Sequence, residues 1–378
     1  MEASPSPVPG RDPQVVDAYL PGEVAHRVRT AGVEDARRGL FQTFALSVIG
    51  GAMLGMAAAA TTAVMAGSSV GYGQTRLLGG LVFGLGLTMV MVGGGELFTS
   101  NNLIAMAWVA REVRTSELMI NWGLVYLGNI VGAGSIALLL FLGGAYGNGA
   151  GVVGGQALAI AASKAGRSFE QSIALGVLGN SLVCLAVWLC FSARSTTDRI
   201  LSCTLPMIAL VVLNVDHVVA NMHYLAAGLV LRHDTGLAEA AGVSASQVAG
   251  INAGSVAINL VGVTIGNIVG GSVLVASVYW FVYLRQKHGQ AGMGPWARLR
   301  GRGPADPEGN GAAASAPPTS AVRANIPVTV RLAGPGSGNG NGRGNGEREA
   351  ERAADRAADR AADRAAAPDA ETDRPPDD

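Results

Sequence analysis

The sequence predicts an all-α membrane protein with six transmembrane helices in two inverted three-helix repeats, of which the second and fifth helices are broken. Three observations predict it: an apolar composition, six long apolar runs, and polar residues in the middle of two of them. Hydrophobic residues make up 49% of the 378 residues and charged residues only 14%, and the mean hydropathy is +0.34. Soluble domains carry about 25% charged residues, so this chain is composed for a lipid environment.

Six apolar runs are long enough to cross about 30 Å of hydrocarbon at a rise of 1.5 Å per residue. They cover approximately residues 41–66, 77–111, 118–143, 170–194, 200–231 and 251–284. The second, fifth and sixth runs exceed one straight span, so they must tilt, break or extend beyond the membrane.

Basic residues predict the orientation of these spans. They concentrate before the first span and after the second, fourth and sixth, at Arg27, Arg29, Arg37, Arg38, Arg111, Arg114, Arg194, Arg199, Arg285 and Lys287. The opposite connections contain only Arg76, Lys164, Arg167 and Arg232. Because positive residues favour the cytoplasmic side, both termini are expected in the cytoplasm and the protein in the inner (plasma) membrane.

A short repeat relates the two halves of this apolar block. The pentapeptide "GNIVG" occurs at Gly128–Gly132 in the third span and at Gly266–Gly270 in the sixth. Three spans per half give the halves opposite topology, as in transporters built from inverted repeats.

The two broken spans carry polar residues at membrane depth. In "MVGGGELFTSNNLIAM" we predict that a half-helix ends near Gly93 and a second begins near Ser100, and the fifth span breaks at Asn214–His217. Glu96 and Asp216 are predicted to cap the half-helices. Irregular backbone is tolerated in a membrane only where protein or a water-filled cavity satisfies it, so we expect a permeation path between the breaks.

Several classes of function are disfavoured. The formal net charge is +0, whereas a nucleic-acid partner requires a basic excess. No histidine and cysteine cluster has the spacing of metal ligands and no nucleophile is paired with a base, so we expect no enzyme, no metal and no cofactor. A scaffold without transport activity stays open as an alternative, and so does an aquaporin-like facilitator of neutral solutes. The facilitator would need paired Asn-Pro-Ala motifs, which neither "TSNN" nor "VDHVV" provides.

Four ordered motifs resemble the formate/nitrite transporter family over about residues 30–287: "GGGELFTSNN", "LGNSLVCLAVW" from Leu178, "DHVVANM" and "TIGNIVGGSVLVASVYWFVYLR". The resemblance implies an aquaporin-like protomer, a homopentamer in membrane lipid, and proton-linked passage of small monovalent weak-acid anions. Formate is the expected substrate, with nitrite next to it. Hydrosulfide or another small anion remains an alternative.

The resemblance also assigns roles to individual residues. His217 becomes the proton-exchanging residue of a central chamber, with Thr99 and Asn180 as its hydrogen-bond partners and Lys164 as the residue that attracts the anion. Ionisable side chains within a membrane are costly and usually functional. Five apolar residues are implied as constrictions on either side of the histidine: Phe83, Leu87, Leu97, Val183 and Leu210. Leu210 occupies a position that is aromatic in some formate channels, which leaves the anion preference open.

Composition divides the chain into three parts. Residues 1–30 are expected to form a disordered cytoplasmic tail, residues 31–290 the channel domain, and residues 291–378 a disordered, low-complexity cytoplasmic tail. The last part is rich in glycine, proline and alanine and contains "RAADRAADRAADRAAA" from Arg352, a mixed-charge repeat with no apolar stripe to bury.

Overall fold

The computed structural model describes residues 18–285, and the regular elements of this range are helical. The α-helices are α1 (Pro21–Ala36), α2 (Leu40–Met65), α3 (Tyr72–Gly93), α4 (Phe98–Asn101), α5 (Ala105–Val109), α6 (Thr115–Leu142), α7 (Val152–Ala165), α8 (Phe169–Ser192), α9 (Thr196–Val212), α10 (Val218–Leu231), α11 (Thr235–Ala240), α12 (Ala245–Ala249), α13 (Ala253–Ile268) and α14 (Val278–Tyr283). A 3₁₀ turn at Asn102–Ile104 joins α4 to α5, and a π-helical segment at Val269–Ser277 joins α13 to α14.

Five continuous helices of this range are long and apolar enough to cross a membrane. They are α2, α3, α6, α8 and the continuous stretch Ala253–Tyr283. The shorter helices α9 and α10 together cover the fifth predicted span. Large apolar side chains such as Leu127 and Leu274 are about half exposed, which suits a surface against lipid or another protomer. The predicted all-helical fold with several apolar helices is therefore confirmed, whereas the six spans in two inverted repeats stay a prediction.

Helix α1 corrects the N-terminal boundary predicted at residue 30. It begins at Pro21, a favoured first helical residue, and the Glu23 carboxylate accepts the backbone N–H of Leu20 at 3.0 Å. Val24 and Val28 lie one turn apart and are buried against the rest of the protein. The folded region thus starts within the segment assigned to a tail. The predicted C-terminal tail at 291–378, with its RAAD repeats, lies outside the described residues.

The two "GNIVG" copies bring helices into close contact. A Cβ atom on Gly132 of α6 would overlap the carbonyl oxygen of Val48 in α2, and one on Gly270 would overlap that of Val177 in α8. Helices in membranes associate through such close packing of small residues. The repeat therefore docks the last span of each half against the first.

Two interruptions lie where the sequence predicts them. The first break is residues 94–97, between α3 and α4, and the second break is residues 213–217, between α9 and α10. Each contains a residue in the left-handed region, Gly94 with φ of 85° and Asn214 with φ of 54°. Glycine and asparagine tolerate this conformation better than other residues. The half-helix expected near Ser100 begins two residues earlier, at Phe98.

Candidate functional site

The second break is held by one asparagine from the sixth span. The Oδ1 atom of Asn267 accepts the backbone N–H of Val218 at 3.0 Å. Its Nδ2 atom donates to the carbonyl oxygens of Gly176 and Asp216, at 2.8 and 3.1 Å. Because unpaired backbone groups inside a membrane cost several kcal/mol each, this side chain makes the irregular backbone tolerable.

The first break is held in the same way by Asn129 from the third span. Its Oδ1 atom accepts the N–H of Phe98 at 2.9 Å, and its Nδ2 atom donates to the carbonyl oxygens of Ser47 and Glu96 at 2.8 and 2.9 Å. Asn129 and Asn267 are the second residues of the two "GNIVG" copies. This correspondence supports the predicted repeat and gives its asparagine a physical role.

His217 ends the second break and contacts the half-helix that follows the first. Its side chain is 1% exposed, and its Nδ1 atom accepts the backbone N–H of Ala220 at 3.3 Å as the N-cap of α10. Its Nε2 atom lies 3.1 Å from the Thr99 hydroxyl in α4. An accepting Nδ1 leaves the single proton of a neutral imidazole on Nε2, so the ring presents a donor where the two broken helices meet.

Asn180 lies next to this pair without bonding the ring. Its Nδ2 atom donates to the backbone oxygens of Thr99 and Asn267, at 3.3 and 2.8 Å. Its buried Oδ1 atom has no hydrogen-bond partner among the described residues. Asn180 therefore positions Thr99 through its backbone, which differs from the direct contact with His217 that the family resemblance implies.

A cavity of about 210 Å³ reaches His217 from one side. Phe83 and Leu210 of the implied constrictions line it, and the Phe83 ring meets the imidazole edge on, with centroids 6.5 Å apart. Leu87, Leu97 and Val183 are fully buried and lie outside its lining. The five apolar residues are thus divided into two that line the cavity and three that are buried outside its lining.

Basic side chains dominate the charge of this cavity. Lys164, at the end of α7, lines it and forms an ion pair with Asp216, with Nζ and Oδ1 2.6 Å apart. Arg167 also lines it and pairs with the other oxygen of the same carboxylate. Arg76, in the first turns of α3, is a third cation in the lining, and no ion pair of the described residues includes it. Three positive charges therefore line the cavity, and the one carboxylate that pairs with two of them, Asp216, is fully buried.

Arg76 is a site residue that sequence reasoning did not single out. The sequence does contain a feature that could have indicated it, because Arg76 is the only basic residue in the connection between the first two spans. Its position in the cavity depends on how α3 is placed against α7 and α9, and the sequence does not specify that packing.

The two acids of the breaks do not have their predicted capping role. The N-cap residues of α4 and α10 are Leu97 and His217. The Glu96 carboxylate instead accepts from Asn101 Nδ2 at 2.6 Å and pairs with Arg38, while Asp216 accepts from Lys164 and Arg167. Cationic partners in the segments preceding α2 and α8 hold these carboxylates away from the helix ends.

A second ionic cluster surrounds the first break. Asp35, in α1, binds the Arg38 guanidinium at 2.5 Å, and Arg38 in turn pairs with Glu96. Burial raises the pKa of Asp35 to about 7, and the negative charge of Glu96 adds to the effect, whereas Arg38 opposes it. This carboxyl group therefore titrates near neutrality, outside the membrane-spanning helices.

No group of three or more metal-ligating side chains occurs within residues 18–285. The polar groups instead bind one another, so the site consists of two ionic clusters with a hydrogen-bonded histidine between them.

The fold and this site define a multi-pass membrane protein with two interrupted helices that meet at a buried histidine. Comparison with known proteins narrows the class further. The formate/nitrite transporter family model matches residues 22–281.

Curated relatives agree with this match. The chain is 36% identical over 275 residues to the formate channel FocA of Escherichia coli K12, which covers 71% of this chain and 96% of that protein. The Haemophilus influenzae formate channel FocA is 33% identical, over 68% of this chain and 92% of its own length. A solved pentameric formate channel with formate bound is 36% identical with a TM-score of 0.59, over 65% of this chain and 98% of that one. The chain belongs to the formate/nitrite transporter family, whose members are channels and transporters rather than enzymes.

Proposed function

We propose that this chain is a homopentameric channel for small monovalent weak-acid anions, with formate as its substrate and nitrite as the next candidate. The observation that carries the proposal is His217, buried at the end of a positively charged cavity and 3.1 Å from Thr99. The relatives named as formate channels, and the pentamer among the solved structures, support the substrate and the assembly.

The cavity first attracts the anion. Arg76, Lys164 and Arg167 line it, whereas the Asp216 carboxylate that pairs with two of them is fully buried. A cleft lined by one sign of charge raises the local concentration of the opposite sign. Lys164 and Arg167 share Asp216, so Arg76 contributes the charge that no carboxylate of the described residues neutralises. In this proposal Arg76 joins Lys164 in drawing the anion inward.

The apolar residues then oppose passage of the charged form. Phe83 and Leu210 line the cavity that reaches His217, and Leu87, Leu97 and Val183 are buried outside its lining. Removing a carboxylate from water costs at least several kcal/mol. Protonating an acid of pKa about 3.9 at pH 7 costs only about 4 kcal/mol. Passage as the neutral acid is the less costly route, which couples the substrate to a proton.

In this proposal His217 provides the proton. The Nε2–H group that neighbours Thr99 is the ring donor available to the anion. The ring is neutral after the transfer only if it has first taken up a second proton on Nδ1. That protonation removes the hydrogen bond that Nδ1 accepts from the Ala220 N–H. The N-cap bond stabilises the helix by about 1 kcal/mol, so the proton transfer must overcome the loss of this free energy.

The proposal is tested by uptake of formate, nitrite, hydrosulfide and glycerol into proteoliposomes between pH 5 and 8. We expect anion uptake that rises as the pH falls, and no glycerol uptake. Glycerol flux without anion flux would identify a neutral-solute facilitator, and the absence of all flux would favour a membrane scaffold without transport activity.

The histidine is tested separately by His217→Asn, which retains a polar side chain that does not titrate. We expect at least a tenfold loss of proton-coupled uptake with normal assembly. His223→Asn is the matched control, because His223 is an equally buried histidine of α10 whose Nδ1 atom lies 3.3 Å from the Ala133 carbonyl oxygen, outside the cavity lining. If His217→Asn keeps the wild-type pH profile, the ring serves as a hydrogen-bond donor and the proton comes from water.

The assembly is tested by native mass spectrometry of the purified protein in detergent. We expect a pentamer, as in the solved formate channel. A stable monomer or tetramer would refute the assembly without bearing on the transported anion.

A further inference from the structure

Two of the three cysteines form a close pair. Cys190, in the last turn of α8, and Cys203, in the middle of α9, have Sγ atoms 2.8 Å apart. Cys184 lies elsewhere in α8, with its Sγ atom 3.5 Å from the backbone oxygen of Thr99. All three are free thiols, so the chain contains a paired dithiol and an isolated thiol as an internal comparison.

The geometry of the pair favours a covalent bond. A disulfide has an S–S distance of about 2.05 Å, so bond formation requires the two sulfur atoms to approach by less than about 1 Å. The helices that carry them are consecutive and are joined by residues 193–195 only. Cys203 follows Cys190 by thirteen positions in the sequence, and little backbone movement is needed to close this loop.

We propose that Cys190 and Cys203 are a reversible modification site, at which a peroxide oxidises the dithiol to a disulfide. Cys190 is 3% exposed and lies two residues before α8 ends, whereas Cys203 is completely buried. Cys190 is therefore the thiol that a small neutral oxidant reaches first, and Cys203 is the resolving thiol.

The reaction balances in two steps. The Cys190 sulfur attacks one peroxide oxygen while its thiol proton passes to the leaving oxygen. The O–O bond breaks, and a sulfenic acid and one water form. Cys203 sulfur next attacks the sulfenic sulfur, the S–S bond forms, and a second water leaves. Two thiols and one hydrogen peroxide give one disulfide and two waters.

The bond would connect directly to the channel site. Cys203 lies two helical turns before Leu210 in α9, which leads into the second break, and α8 carries Asn180 and Val183. A disulfide would fix α9 against α8 and so limit movement of the half-helix that lines the cavity. The sequence predicts this end of the helices at the cytoplasmic side, where thiols are normally kept reduced and disulfides are transient.

The test uses the full-length, detergent-purified protein treated with hydrogen peroxide and then denatured for thiol counting. We expect three titratable thiols to fall to one, and dithiothreitol to restore all three. Peptide mass spectrometry should recover Cys190 linked to Cys203 within one chain, and the melting temperature should rise by about 2 °C or more in the oxidised protein.

Single substitutions separate the pair from the isolated thiol. Cys184→Ser should still lose two thiols on oxidation, because it leaves the pair intact, whereas Cys190→Ser and Cys203→Ser should form no intrachain disulfide. The proposal is overturned if the wild type keeps three thiols, if the cross-link joins separate chains, or if Cys190 is oxidised to sulfinic acid without a link. The number of titratable thiols in the oxidised wild-type protein tests the proposal even if one of the variants folds poorly.

Discussion

Asn101 beside the first break and Asn221 beside the second have the same bonding pattern. Each Nδ2 atom donates to the acid of its own break, Glu96 at 2.6 Å and Asp216 at 3.2 Å. Each also donates to a second asparagine, at 3.0 Å in both cases, Asn121 for the first break and Asn259 for the second. Together with Asn129 and Asn267, these amides form one scaffold that is used twice.

The charges around the two breaks differ. The first break is bordered by Asp35, Arg38 and Glu96, with two acids and one base. The second is bordered by Lys164, Arg167 and Asp216, with two bases and one acid. The comparison teaches that the amides fix the backbone, whereas the ionic partners decide the charge that each break presents. Only the second break borders the cavity that reaches His217.

The largest effect is expected from removing the scaffold itself. Asn267→Leu leaves the N–H of Val218 and the carbonyl of Asp216 without a partner and removes a second bond to the Gly176 carbonyl of α8. Each unpaired buried group costs about 1 to 3 kcal/mol. Asn129→Leu does the same at the first break. Because the sum approaches the total stability of a domain, we expect neither variant to yield assembled protein by size-exclusion chromatography.

The exposed Asn148 provides a control, since Asn148→Leu should assemble normally. If one of the two variants, Asn267→Leu or Asn129→Leu, lost assembly and the other assembled almost normally, the two scaffolds would not be equivalent.

A smaller and unequal effect is expected from the acids. Asp216→Asn leaves Lys164 and Arg167 without their shared carboxylate, and removing one partner of a buried ion pair costs about 3 to 5 kcal/mol. Glu96→Gln is milder, because Arg38 retains Asp35 at 2.5 Å, and we estimate about 1 to 2 kcal/mol. Thermal unfolding of the two purified variants beside the wild type measures the difference. Equal losses would show that the charge difference between the breaks has no energetic consequence.

The breaks could be located from the sequence because glycines and polar residues inside an apolar run have few explanations in a membrane. Both positions were correct to within about two residues. The capping roles of Glu96 and Asp216 were wrong, because an acid before a helix is typical of a cap and the competing partners Arg38 and Arg167 are distant in sequence. That competition depends on tertiary contacts, which local patterns do not contain.

The helices outside the spans were harder to predict. Helix α1 has few apolar residues, so composition alone assigned residues 1–30 to a tail. Helix α7 is too short to span a membrane and lay within a predicted connection, although it carries Lys164. The asparagines of "GNIVG" were visible as part of a repeat, but their role required knowing which backbone groups the breaks leave unpaired.

A moderate effect on transport is expected from Arg76, which adds to the positive charge beside the second break. Arg76→Gln removes a charge that no carboxylate of the described residues neutralises. The loss should weaken anion binding by about 1 kcal/mol, or about fivefold in affinity. We expect KM for formate uptake to rise by this factor while the maximal rate is retained. Initial rates in proteoliposomes at several formate concentrations measure the change.

Arg76→Lys should restore most of the affinity because it keeps the charge. The difference between wild type and Arg76→Gln should shrink as salt is added. A fall in maximal rate with unchanged KM would instead assign Arg76 a structural role in α3.

The smallest effect is expected at the first break, from Asp35. The pKa of this carboxyl is raised from 3.8 to about 7 by burial and by the nearby charge of Glu96, so the folded state binds its proton more tightly than the unfolded state. The stability that this group contributes is complete below pH 4 and is lost as the pH rises through 7.

Asp35→Asn resembles the protonated carboxyl and does not ionise. We therefore expect its melting temperature to match that of the wild type near pH 4 and to exceed it increasingly as the pH rises, by about 2 °C or more at pH 8. Glu34→Gln, at the exposed neighbouring acid that contributes least to the raised pKa of Asp35, should change the wild-type pH dependence only slightly. An Asp35→Asn curve parallel to the wild type from pH 5 to 8 would show that this carboxyl is ionised throughout, and that the first break carries a fixed negative charge in place of one that titrates.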